Sequence, residues 1–364
     1  MLLPYAEGFG PGDAGAIALG VRDLTLASRF RDRTRVFGRA VRPSFEGIDF
    51  RPLAPALPRL LGRNRGLAEA FRRAAARRRD VLVELHNRPL MAHWLARLAP
   101  SLPLSIRLAN DPLSTRDLAS RRARARLLER VRAVYCVSDF VRTRFLSGLE
   151  GGADKLHVVR NGVARPDGPP VDKERLILYV GRVVAGKGVD HLVEALLAVL
   201  PERPDWRALI IGASRPGATS LTPFEERLRR RAAPLGDRVR WLRFLPNSEV
   251  MGHYRAAAIT VVPSTVHEAL SRTSAEGLAH GCAVIGYASG GIPEVVRGRG
   301  LVLDEKTPTS LGAALARLTD DAAYRSRLQQ RAREDFPFTV QAMADGYDAV
   351  REGLLEDLAR SVGR

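Results

Sequence analysis

Runs rich in Val, Ile and Leu alternate with amphipathic stretches along this chain, and the alternation is completed twice. In the first pass, strand readings fall at Leu2–Tyr5, TRVFGRAV, DVLVELH and LPLSIRLA. Helical readings separate them at about Ala16–Phe30, GLAEAFRRAAARRR, LMAHWLARLA and roughly 115–130. AVYCVSDFVRTRFLSGL and KLHVVRNGV close this half. Residues 164–174, ARPDGPPVDKE, hold three prolines, a glycine and charges, the composition of a linker. The alternation restarts at LILYVG and continues through ALIIG, VRWLRFL, ITVVP and AVIGYA, each followed by a helical stretch ending with PEVVRG. Such alternation points to parallel sheets wound on both faces. The chain therefore reads as α/β, with Rossmann-like domains over 1–165 and 166–337. From Phe338 onward a last amphipathic helix, 338–364, is expected to pack back on the first domain.

A length of 364 residues also favours two cores over one. MLLPYAEGFG lacks the basic start and apolar run of a signal peptide, and no apolar run approaches the roughly 20 residues of a spanning helix. With only Cys136 and Cys282 present, both in strand-like contexts, buried free thiols in a cytoplasmic protein are expected. The net charge of +18 is uneven: residues 1–170 carry 31 basic and 16 acidic residues, the remainder 27 and 24. A basic half next to a nearly neutral one suggests an anionic partner. The runs FRRAAARRR and SRRARARLLERVR read either as solvated helix faces or as contacts to an anionic membrane surface, which would make the protein peripheral on the inner face of the membrane. Nucleic acid fits less well, because zinc-finger spacing, an RNP motif and interleaved aromatics are all missing.

Polar chemistry concentrates at two strand-to-helix junctions of the second half. In PSTVHEALSRTSAE, Glu268 precedes a helix and Glu276 lies about one turn inside it. In YVGRVVAGKGVDHL, Arg182 and Lys187 lie on a glycine-rich turn. Two cations there would neutralise a diphosphate leaving group; a solvated turn is the plain alternative. Lys187 is one of four lysines, with 155, 173 and 306, among 54 arginines. Gly188 follows it where a Walker A loop needs a hydroxyl, so that motif is excluded. Glycines 8, 10, 12 and 15 after the first strand reading permit either a tight turn or a close ligand approach.

These junctions resemble the retaining glycosyltransferases of family four, which have the GT-B fold. The resemblance is carried by GR-x4-KG, the Glu268–seven residues–Glu276 spacing, Gly281, Val284–Ile285 and GGIPE at 290–294. It is continuous over about 175–300 and looser before, where LHNRP and ANDP fit. SRT after the first glutamate looks like the subset that builds bacterial lipopolysaccharide and exopolysaccharide. The resemblance implies a nucleotide-diphosphate-sugar donor, a glycan or glycolipid acceptor, and no cofactor or metal; no D-x-D triplet occurs. The diphosphate would sit at Ser271, Arg272 and Thr273 opposite Arg182 and Lys187. Glu276 would hold the ribose and Glu268 the sugar. Gly15, Gly212 and Leu245 complete the expected donor contacts. Thr273-x-x-Glu276 also reads as a capping box. Where relatives carry Pro-Phe-Gly this chain has Ala269, Leu270 and Ser271, and Ala109 stands where many place a histidine. His86 or Asp111, at carboxyl ends of strands, would then be the polar group facing the cleft; a structural histidine is the alternative. A GT-B phosphorylase, a nucleotide-sugar epimerase and, less readily, a nucleic-acid-binding protein are the rival functions.

Overall fold

The computed structural model describes residues 1–364 apart from 13, 56–61, 76–80, 170, 216, 363 and 364. The chain divides into one unit of Met1–Gly162 with Val340–Arg364 and a second of Val163–Thr339.

In the first unit the strands are β1 (Arg35–Gly38), β2 (Asp49–Pro52), β3 (Val83–His86), β4 (Leu104–Leu108), β5 (Ala133–Cys136) and β6 (Leu156–Val158). All neighbouring pairs are parallel. The first residues run between β1 and β3: Leu2 N donates to Glu84 O at 2.8 Å and Leu3 N to Phe37 O at 2.9 Å. Counting that segment first, the spatial order is 3-2-1-4-5-6-7, that of a doubly wound sheet. The expected strand over Leu2–Tyr5 shrinks to a bridge at Leu2, because Pro4 offers no N–H and a turn begins at Tyr5.

Helices α1 (Ala16–Ala27), α2 (Arg63–Ala75), α3 (Pro89–Leu98), α4 (Arg121–Arg130) and α5 (Asp139–Leu146) cover this sheet's connections. The helix expected from about 115 starts only at Arg121, where Ser120 accepts a bond from Ala123 N and caps it. Residues 76–79 of the first arginine run lie outside the described residues. Arg124, in the second run, is 3% exposed and donates to the carbonyls of Leu118, Ala119, Phe145 and Ser147. Part of the basic surplus is therefore internal scaffolding.

The second unit holds β7 (Glu174–Val180), β8 (Arg207–Ile211), β9 (Val239–Leu242), β10 (Ala257–Val262), β11 (Ala283–Tyr287) and β12 (Leu301–Leu303). Their order is β12-β11-β10-β7-β8-β9, all parallel. β10 is buried at all six positions, as a central strand covered on both faces must be. The helices are α6 (Val189–Val199), α7 (Pro223–Ala232), α8 (Asn247–Ala256), α9 (Arg272–Ala279), α10 (Ile292–Val296), α11 (Pro308–Asp320) and α12 (Ala322–Glu334). α6 buries Val189, Leu192, Val193, Leu196 and Val199, one face at helical spacing. Sequence reading passed over α11 and α12, although Thr307 and Asp321 cap them.

The last helix, α13 (Val340–Val362), completes the first unit. Arg351 grips both carboxylate oxygens of Glu84 at 2.7 Å, and Asp348 accepts from Ser28 and from Arg29 N. Tyr347 stacks on Tyr135 with centroids 4.3 Å apart. Both cysteines are free and buried, and burial pushes the Cys136 thiol up to about 12. No helix among the described residues is long and apolar enough to cross a membrane.

Candidate functional site

In the second sheet the chain leaves β7 toward β8 and β9 on one side, then crosses back to β10 on the other. The loops after β7 and β10 therefore diverge at the switch point, where doubly wound sheets bind ligands beyond their carboxyl ends. These are the loops carrying Arg182 and Lys187, and Glu268 to Glu276.

Backbone contacts lock the two loops together. Thr265 N and Val266 N both donate to Gly186 O, at 3.2 and 3.3 Å. Gly188 has φ 66°, and a Cβ there would lie 1.9 Å from Pro263 O. The loop before α10 closes on the same segment: Gly291 N donates to Glu268 O at 2.7 Å. Gly290 has φ 63°, and a Cβ would meet Glu268 O at 2.1 Å. The glycines of GKG and GGIPE thus allow three loops to meet around Glu268.

The result is an ion pair. Lys187 Nζ donates to Glu268 Oε1, and Ser264 Oγ donates to the same oxygen. The sequence assigned Lys187 to phosphate and Glu268 to sugar without showing that they touch. Arg182 is exposed; its carbonyl accepts from the Tyr179 hydroxyl at 2.8 Å, which fixes the turn. The four lysines have distinct uses. Lys155 and Lys173 gather backbone carbonyls at helix ends. Lys306 reaches Ser289 Oγ at 3.3 Å, and that hydroxyl donates to Val266 O.

The capping box at Thr273 does not form. Ser271 is the cap of α9, accepting from Ser274 N at 3.1 Å, while Thr273 Oγ1 points to Val180 O at 3.4 Å. Ser271 sits at φ −79°, so the glycine of relatives is not needed for backbone freedom here, and the serine supplies a cap instead. Glu276, 7% exposed, accepts from Arg272 Nε at 2.7 Å, one turn up the same helix. Burial first, and the Glu276 carboxylate second, raise the Tyr254 phenol well above its ordinary range, which keeps it protonated there.

Other expected donor contacts have structural occupations. A Cβ on Gly212 would lie 1.9 Å from Gly181 O, so this glycine lets the ends of β7 and β8 pack. Leu245 is half-buried after β9, beside Phe244, which is 52% exposed. In the first unit, the space a Gly15 side chain would occupy is taken by Glu7, whose Oε2 would be 2.7 Å from the Cβ.

Of the two readings of His86, its burial agrees with the structural one. The ring is 1% exposed, and neither nitrogen has a hydrogen-bond partner among the described residues. Burial and then the Arg107 guanidinium hold it well below the usual histidine range, so it is neutral. Asp111 is also committed: Arg144 donates to both its oxygens at 3.0 and 2.9 Å, and Leu113 N and Ser114 Oγ fill the rest. Burial pushes its carboxyl up, but Arg144 and Leu113 N outweigh this and leave it below the ordinary range. The Ser264 and Ser289 contacts were missed, because nothing local in the sequence marks a hydroxyl for a partner on another loop.

Residues 163–335 match the family model described as Glycosyl transferases group 1. That match takes in nearly all of the second unit, which is thus similar to the group 1 glycosyltransferases. The chain is 25% identical to YtcC of Bacillus subtilis over 286 residues, 72% of this chain and 70% of that protein. A D-inositol 3-phosphate glycosyltransferase of Corynebacterium glutamicum is 35% identical over 164 residues, 44% of this chain and 38% of that enzyme, so this chain spans well under half of it. Among solved structures, Anabaena HepE in complex with UDP and glucose aligns with a TM-score of 0.76 at 19% identity, over 97% of this chain and 98% of that one. Sucrose-phosphate synthase from Thermosynechococcus elongatus aligns at 0.75 with 22% identity over 98% of each. The chain therefore has the GT-B fold, with the motif loops in the unit that the family model covers.

Proposed function

We propose that this chain is a glycosyltransferase that takes a sugar from a nucleotide-diphosphate-sugar and delivers it, with retained anomeric configuration, to a hydroxyl of a glycan or glycolipid of bacterial lipopolysaccharide or exopolysaccharide assembly. The observation that carries the reading is the convergence of Lys187, Glu268 and the capped start of α9 at the switch point. Lys187 and Arg182 supply positive charge to the departing diphosphate, so the reading assigns that work to side chains rather than to a metal ion. Glu276 meets the ribose hydroxyls and Glu268 the sugar hydroxyls. The anomeric C–O bond breaks with its electron pair passing to phosphate. The acceptor oxygen bonds to the anomeric carbon from that same face, and its proton goes to the phosphate oxygen. Complexes of HepE with UDP and with UDP-glucose make uridine nucleotides the first to try.

Incubation with UDP-, ADP- and GDP-sugars and oligosaccharide acceptors, followed by proton NMR of the product, tests the reading. Release of nucleoside diphosphate with an anomeric coupling matching the donor supports it; an inverted product or no release contradicts it. Arg121, Arg122 and Arg126 are exposed on α4 and support peripheral attachment to an anionic bilayer. Failure to sediment with phosphatidylglycerol vesicles at low salt would remove that part.

A further inference from the structure

We propose that Glu268 makes the site discriminate against bare nucleoside diphosphate, because it competes with phosphate for Lys187. The proposal rests on the donor-site reading above. Lys187 and Glu268 are 24% and 20% exposed, so their attraction is only partly screened by water. Close backbone packing holds both loops around the pair: Gly188 lies against Pro263 O, and Gly290 and Gly291 against the backbone of Glu268 and Ala269.

A nucleotide-sugar brings its own replacement. As Lys187 turns to the diphosphate, the sugar hydroxyls donate to Glu268, which exchanges a charged donor for neutral ones. A bare nucleoside diphosphate offers no such donor, and its terminal phosphate carries more negative charge. Glu268 would face that phosphate with the Ser264 hydroxyl as its remaining partner of the two shown, and an anion stripped of its counter-charge is costly when partly buried. Glu276 differs, since Arg272 on its own helix neutralises it whatever Lys187 does. Transfer of the sugar therefore creates the repelling arrangement at the moment the product must leave, and Lys187 returns to Glu268 as the nucleotide departs.

Calorimetric titration of the full chain, Glu268→Gln and Glu276→Gln with UDP, ADP and GDP and with UDP-glucose, ADP-glucose and GDP-mannose tests this. Thermal melting of each variant without ligand confirms folding, which an amide of the same shape preserves. Glu268→Gln should bind the bare diphosphate about tenfold more tightly than the unaltered chain, while its affinity for the sugar ester does not rise. Glu276→Gln should not tighten bare diphosphate. Unchanged or weakened diphosphate binding by Glu268→Gln overturns the proposal. Equal tightening by both variants overturns it too, since that is a general charge effect. If the unaltered chain binds none of the six ligands, the donor-site reading itself falls, and this proposal with it.

Discussion

Gly188 lies under Pro263 so closely that a Cβ on the glycine would stand 1.9 Å from the proline's carbonyl oxygen, and its φ is 66°. This contact presses the loop after β7 onto the loop after β10 and sets Lys187 beside Glu268. Gly188→Ala should lower the melting temperature and reduce kcat/KM together, because strain at positive φ adds about 1–3 kcal/mol before the clash is counted. Melting curves and donor-turnover assays check this. An alanine variant with normal stability and turnover would mean that the loops can separate without cost.

The cap of α9 gives a graded prediction. Ser271→Ala should destabilise the second unit by about 1 kcal/mol, whereas Ser271→Gly should cost only a few tenths. Urea denaturation separates the two. If Thr273→Ala proved the more destabilising change, the cap would lie where the capping-box pattern places it.

How much of this was readable beforehand varies by scale. Period-2 and period-3.6 patterns report what each element buries, so β7 to β11 and α6 to α9 were all recognisable. Side-chain partnership is not a local property. Lys187 and Glu268 are 81 residues apart and Arg351 and Glu84 267 apart, and no periodicity joins them. The same limit left His86 open between a cleft-facing and a structural role and hid the partners of Asp111. A strand end can present a polar group or bury it, and the partner that occupies Asp111, Arg144, comes from another element. That Ser271 caps α9 was not legible either, because Thr273-x-x-Glu276 offers a competing cap two residues on. Two whole helices, α11 and α12, were passed over despite the cap residues Thr307 and Asp321.

The buried pair Glu84–Arg351 predicts a pH dependence in the first unit. Burial pushes the Glu84 carboxyl up, but Arg351 outweighs it and brings it down to about 2 from 4.5. A carboxyl depressed on folding stabilises above its unfolded value and loses that contribution as pH falls, here between about 4.5 and 2. Glu84→Gln should cost about 3 kcal/mol at neutral pH and flatten the acid limb of stability. Urea midpoints measured from pH 7 to 3 read both effects. A variant with the same acid slope as the unaltered chain would show that another carboxylate controls it.

The central claim, that the switch-point loops of the second unit hold the donor, is tested most directly by thermal shift with UDP-glucose, ADP-glucose and GDP-mannose on the unaltered chain, Lys187→Ala and Glu276→Ala. Binding to the folded chain raises the melting temperature by an amount that grows with the logarithm of ligand concentration over its dissociation constant. The account predicts that at least one sugar nucleotide raises it for the unaltered chain, and that neither variant is shifted by that nucleotide from its own ligand-free melting temperature. A full shift in both variants would place the donor elsewhere and contradict the account.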